Sequence, residues 1–145
     1  MIVYRICQTY PPDHDPLDGA GAFKHGGRWN NKGTYVVYTA GSLALARSEL
    51  ARHINLELVP EGFRVYEIEI PDENYEELKP LPEDWNADPD PESTKISGDR
   101  FLKDKDHLCI KVPSVCDPSA YNYLLNPKSN DYDSVRIVNH YAFVP

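Results

Sequence analysis

Four places in the sequence carry residue types that could do chemistry together. In "GGRWN", two glycines precede Arg28 and Trp29. Glycines let a backbone come close to a ligand, and a guanidinium can fork onto a phosphate or a carboxylate. The same Arg28 and Trp29 could equally be a surface cation stacked on an indole. Tyr38 stands near the end of the run "TYVVYT", where a flat ring serves either as a platform for a planar ligand or as a core side chain with a wet hydroxyl. Glu49 and His53 stand four residues apart, one helical turn, a spacing shared by working carboxylates and ordinary surface pairs. In "KVPSVCDPSAYNYLLNP", Ser114 follows a proline, and Asn122 and Asn126 lie among aromatic and leucine residues. Turn chemistry would explain each of these polar groups singly.

Stepping from the groups to what must hold them, residues 2–7, 34–39, 63–70, 107–112, 134–138 and 141–144 have strand composition. Residues 8–21 are rich in turn formers. Ser42 is placed to cap a helix running to about Ile54, with Leu43, Ala46, Leu50 and Ile54 on one stripe. Glu49 then falls at the border of that stripe, where it can lean over a cleft. In residues 63–70, Tyr66, Ile68 and Ile70 alternate with Glu67 and Glu69. The tract 71–92 reads as irregular, with one helical turn around Glu73 to Leu78. Asp90, Pro91 and Glu92 have the order of a helix start, and that helix runs toward Lys103, weakened by Gly98. Few helices, early and late strands and no βαβ alternation predict one α+β domain over 1–145, with a mixed or antiparallel curved sheet flanked by helices.

Bulk composition narrows the classes of function. The net charge is −8, yet Glu67 to Glu92 holds eleven acidic residues and one lysine, a local −10, so the remainder carries +2. Without a concentrated basic face, direct binding to nucleic acid is disfavoured, whereas an anionic small ligand is acceptable. The acidic tract reads as a peripheral excursion outside any site. The three cysteines form no CxxC pair and the five histidines no HExxH, so reduced structural thiols and no metal are expected. No apolar run nears the roughly 18–20 residues that span a bilayer, and the first residues lack a leader pattern. No membrane association is expected, and the expected compartment is the cytoplasm.

Taken in order, "GGRWN", "VVYTA", "ALARSELARH", "SGDRFL", "KVPSV" and "NYLLNP" resemble the RES domain, the toxin of a bacterial toxin–antitoxin pair. The family's eponymous arginine, glutamate and serine fall on Arg28, Glu49 and Ser114. The resemblance implies a fold akin to ADP-ribosyltransferases, with NAD as substrate and no separate cofactor. It implies cleavage of the nicotinamide–ribose bond, by hydrolysis, by phosphorolysis or by ADP-ribosylation of a protein. It also implies an Xre-like antitoxin as partner and a toxin homodimer within the larger complex.

That bond suits these residue types. Nicotinamide leaves as a neutral group, and the transition state resembles an oxocarbenium ion. A carboxylate near the ribose stabilises it electrostatically in a water-poor cleft, the role implied for Glu49. Tyr38 offers the nicotinamide a stacking face. Arg28 is expected to fork the dinucleotide phosphates, Gly26 and Gly27 to admit them closely, and Ser114 and Asn122 to orient ribose or phosphate. A non-catalytic NAD-binding module is the rival from another class. A ribonuclease toxin is disfavoured for want of a basic face and paired histidines.

Overall fold

Strand β1 spans Ile2–Gln8, β2 Val37–Ala40, β3 Phe63–Glu69, β4 Glu76–Glu77, β5 Cys109–Pro113, β6 Tyr121–Leu125 and β7 Arg136–Ala142. Helix α1 covers Ala20–His25, α2 Leu43–Ala51 and α3 Glu92–Leu102. These come from a computed structural model that describes residues 1–8, 15–59 and 61–145. The seven strands form one sheet in the order β4-β5-β6-β2-β1-β3-β7. Every neighbouring pair is antiparallel except β4 and β5, which run parallel. The α+β expectation holds, and the sheet is mixed through that one short strand.

Alternation along the strands divides the core between the two faces of the sheet. Val3, Val37, Ile68, Cys109 and Leu125 belong to one apolar cluster, with Val135 and the partly buried Leu17 and Tyr132 packed on it. Their neighbours Ile110, Val112 and Leu124 join Val36, Trp29 and Leu102 on the opposite side. There α3 buries Thr94, Gly98 and Leu102, residues four apart on one helical stripe. A third cluster seats Leu45 and Ala46 of α2 on Ala40, Tyr4 and Ile6.

Several expectations are corrected. Ser42 does cap α2, its Oγ accepting from the Leu45 amide at 3.1 Å, but the helix ends at Ala51. Its fully buried residues are Leu45 and Ala46, so the stripe is rotated from the predicted one because the contact is to the narrow seam of β1 and β2. The helical turn at 73–78 is instead β4, which pairs Glu76 with Ile110 and Glu77 with Lys111. The two last predicted strands are one, β7, which follows β3 through a bulge at Glu67/Ile68. Residues 121–125, for which no strand was expected, form β6, in the centre of one half of the sheet between β2 and β5. Of the turn-rich 8–21, residues 9–14, with His14, lie outside the described residues. The cysteines are all free thiols, as expected.

One irregularity of the sheet makes room for a site. Strand β1 is registered with β3 along its whole length, from Ile2↔Glu69 to Gln8↔Phe63. With β2 it is paired only at Tyr4↔Ala40. Beyond that point the Tyr38 carbonyl is taken by the Arg5 guanidinium, Nη1 donating at 3.2 Å. The sheet splits there, and the cleft described next is lined by residues from both sides of the split.

Candidate active site

The loop carrying Arg28 is held residue by residue against α3. Gly26 takes a left-handed φ of 74°, and Gly27 and Asn30 form a small antiparallel bridge. The Lys95 ammonium donates to the Gly27 carbonyl. The Thr94 hydroxyl donates to the Arg28 carbonyl at 2.6 Å. The Asp99 carboxylate accepts from the Asn31 backbone N–H at 3.0 Å and its amide at 2.9 Å. Between them Gly98 lies directly on Trp29: a Cβ there would sit 1.7 Å from the Trp29 carbonyl oxygen. Gly98 is therefore a close-approach glycine, not a weak point in the helix.

The absence of a side chain at Gly27 has a packing reason. A Cβ on Gly27 would lie 2.7 Å from the Tyr38 hydroxyl, so the missing side chain makes room for the tyrosine. That hydroxyl donates to Asn30 Oδ1 at 2.7 Å and accepts from the Trp29 amide at 3.0 Å. Asn30 is fully buried, and its amide donates to the carbonyls of Ala22 at 2.9 Å and Thr34 at 3.1 Å. Burial, opposed by the Trp29 hydrogen bond, pushes the Tyr38 phenol well above its usual range. It stays protonated and acts as a tie, while its ring lines the cleft.

Arg28 is occupied by its own chain. Its Nη1 donates to the carbonyls of Trp85 at 3.0 Å and Ala87 at 2.8 Å, and its Nη2 lies 3.0 Å from Asp90 Oδ1. Only 8% of its side chain is exposed, against 39% for Asp90. The acidic tract is thus not peripheral: its end reaches over the loop and is pinned there by Arg28. Asp90, expected to cap α3, instead neutralises a buried guanidinium, and Pro91 holds the capping position without a side-chain hydrogen bond.

Across the cleft, Glu49 sits on α2 with its side chain 27% exposed. The Asn122 amide of β6 donates to its Oε2, and the Cys116 thiol donates to its Oε1 at 3.1 Å. Arg52 approaches Oε1 at 3.7 Å. Burial, then the hydrogen bond and the charge of Glu49, raise the Cys116 thiol to about 11, so it remains a proton donor at neutral pH. Two donors on two different oxygens fix the carboxylate plane. Ser114 is fully buried, and its Oγ accepts the Cys116 amide at 3.0 Å. It shapes the turn that carries the thiol and does not line the cleft.

The cleft has a volume of about 460 Å³ and is lined by Gly27, Arg28, Tyr38, Glu49, Arg52, Asp90 and Asn122 among others. That size falls in the usual range of roughly 300–1,000 Å³ for small-molecule sites. Arg28, Tyr38, Glu49 and Asn122 are brought together, and Ser114 stands behind one wall. Asn126 is a turn residue elsewhere, fully buried, with its amide on the carbonyls of Asp104 and His107. His53 reaches the mouth as an exposed residue. Sequence reasoning missed Arg5, Arg52, Asp90 and Cys116. Only Arg52 carried a signal, three residues after Glu49 on the same helical face.

The fold is an α+β domain with a split sheet, whose cleft brings one carboxylate, held by two donors, together with the Tyr38 ring. The RES domain family model matches residues 2–145, and the chain belongs to that family. It is 37% identical over 137 residues to the toxin Res of Yersinia enterocolitica, covering 92% of this chain and 89% of that one. The toxin Res of Pseudomonas putida is 38% identical over 142 residues, with 94% and 92% covered. The Prs ADP-ribosylating toxin of a Sphingobium species is 37% identical over 134 residues, with 89% and 82% covered. A chain of the M. tuberculosis MbcT–MbcA toxin–antitoxin complex shares the fold, with a TM-score of 0.76 at 17% identity over 98% of this chain and 83% of that one. Among the described residues, no helix is long and apolar enough to cross a membrane.

Proposed function

We propose that the protein is the toxin of a toxin–antitoxin pair, that it binds NAD in this cleft and that it breaks the nicotinamide–ribose bond. The observation that carries the reading is Glu49, half-buried and held by Asn122 and Cys116, facing the same cleft as the Tyr38 ring. The family membership and the names of the relatives support it.

In this reading nicotinamide lies against Tyr38 and its ribose against Glu49. As the C1′–N bond lengthens, its electron pair returns to the pyridine ring, and nicotinamide leaves uncharged without a proton. Positive charge grows on C1′ and the ring oxygen, and the fixed carboxylate stabilises it. Because Asn122 and Cys116 already hold both oxygens, little reorganisation is needed as the charge appears. The acceptor then attacks C1′ from the opened face.

The acceptor is water, phosphate or a protein side chain. The Sphingobium relative's name, an ADP-ribosylating toxin, favours the protein acceptor as the second reading. The partner is an Xre-like antitoxin, which neutralises the toxin by covering the cleft. Incubating the purified protein with NAD and separating the products by chromatography tests the proposal. Nicotinamide should appear, with ADP-ribose, its C1″ phosphate or a modified protein as the other product. A protein that leaves NAD intact in buffer, in phosphate and in cell extract refutes it.

A further inference from the structure

We infer that Arg52, and not Arg28, is the side chain that receives the phosphates of the dinucleotide; this deepens the NAD reading and rests on it. Three arginines line the cleft: Arg5, Arg28 and Arg52. Arg28 has both terminal nitrogens turned to its own chain, on two carbonyls and the Asp90 carboxylate. Its Nε and Nη2 are buried without a hydrogen-bond acceptor among the described residues, Nη2 being held to Asp90 by charge alone. A phosphate arriving there would have to compete with two backbone oxygens and would meet a carboxylate that also lines the cleft. Arg5 is tied to the Tyr38 carbonyl across the split in the sheet, and its Nε is likewise buried.

Arg52 also has a carboxylate beside it, but it is more exposed and donates to no backbone carbonyl among the described residues. Its side chain is 33% exposed, and its ion-pair partner among the described residues is Glu49, 3.7 Å from Nη1. That is longer than a hydrogen bond, so among the described residues the guanidinium keeps donors that can fork onto an anion. It stands three residues beyond Glu49, at the C-cap of α2, with its charge beside the carboxylate assigned to the nicotinamide ribose. The first phosphate hangs from that same ribose, and Arg52 is the cation paired with the Glu49 carboxylate.

Arg28 then becomes a positioning residue. It fixes the Trp85–Asp90 segment over the loop and holds the Trp29 and Tyr38 side of the cleft in place.

Calorimetric titration of ADP-ribose into the whole protein tests the assignment, because it needs binding and no turnover. Arg52→Gln should weaken ADP-ribose binding by roughly ten- to a hundredfold, the usual loss for charge-assisted hydrogen bonds. Arg52→Lys should recover part of it, and the melting temperature of both should stay near that of the wild type. Undiminished binding by Arg52→Gln, or a wild-type protein that does not bind ADP-ribose, overturns the assignment. Nicotinamide release is measured in parallel. ADP-ribose binding that depends on Arg52 without any release of nicotinamide keeps this inference and removes the catalytic reading. Release whose KM is indifferent to Arg52→Gln does the reverse.

Discussion

Replacing Gly98 by alanine sets two effects of opposite sign against each other, and the structure decides between them. In the middle of an exposed helix the change stabilises by about 1 kcal/mol, through backbone entropy. Here the new Cβ would lie 1.7 Å from the Trp29 oxygen and 2.7 Å from its carbonyl carbon. Real Cβ contacts essentially never fall below 3.0 Å, so the helix and the loop must part by at least 1.3 Å (3.0 − 1.7). Neither side is a flexible side-chain tip; both are backbone. The separation stretches the ties from Lys95 to Gly27, Thr94 to Arg28 and Asp99 to Asn31. Overpacking costs about 1–3 kcal/mol, and each weakened buried hydrogen bond about 1 kcal/mol more. The net loss is about 3–5 kcal/mol, a fall in Tm of roughly 6–20 °C for a chain of this size. A thermal melt followed by circular dichroism measures it. Activity should fall further than stability, since a displacement of about 1 Å at a site can cost on the order of a hundredfold in rate. A Gly98→Ala protein as stable as the wild type, or more so, would refute the close packing of α3 on the loop.

Tyr38→Phe keeps the ring and removes the hydroxyl that joins Asn30 Oδ1 to the Trp29 amide. Chemical denaturation should show a loss of about 1–3 kcal/mol for the unsatisfied groups; an unchanged midpoint would mean that the tie is not needed. Alkaline pH gives an independent check through the thiols. Burial raises Cys109 to about 12, and burial with Glu49 raises Cys116 to about 11, both from 9.0. The folded state holds these protons more tightly than the unfolded state. The associated stability is therefore complete below about pH 9 and is lost as pH rises toward 11–12. Tm plotted against pH should decline across that window, and Cys116→Ser should make the decline shallower. A profile that is flat from pH 8 to about 11.5 would contradict the burial of these thiols.

How much of this was readable beforehand depended on whether a signal was local. The alternation of 63–70 and the Ser42 cap are local, and both match β3 and α2. Strand β6 was hidden because "YNYLL" lies between two proline-containing turns and carries an asparagine, and its central position between β2 and β5 is a tertiary fact. The α2 stripe was misplaced by about one residue because its seat on Tyr4, Ile6 and Ala40 is set by the sheet and not by the helix. Arg28, Tyr38, Glu49 and Asn122 were all read as site residues, and they do share one cleft. Their partners were not legible. Asp90 looked like a helix cap, and only the folded chain brings it 3.0 Å from Arg28. Gly98 looked like a helix defect for the same reason: Trp29, 69 positions earlier in sequence, is invisible to a helical window.

The central claim is that Glu49 drives departure of nicotinamide, and the rate of nicotinamide release by Glu49→Gln addresses it most directly. The substitution keeps the shape of the side chain and removes its charge. The account predicts that kcat falls by at least about a hundredfold, the scale of losing one electrostatic stabiliser, with the Tm little changed and ADP-ribose still bound. A Glu49→Gln protein that releases nicotinamide at the wild-type rate would contradict it.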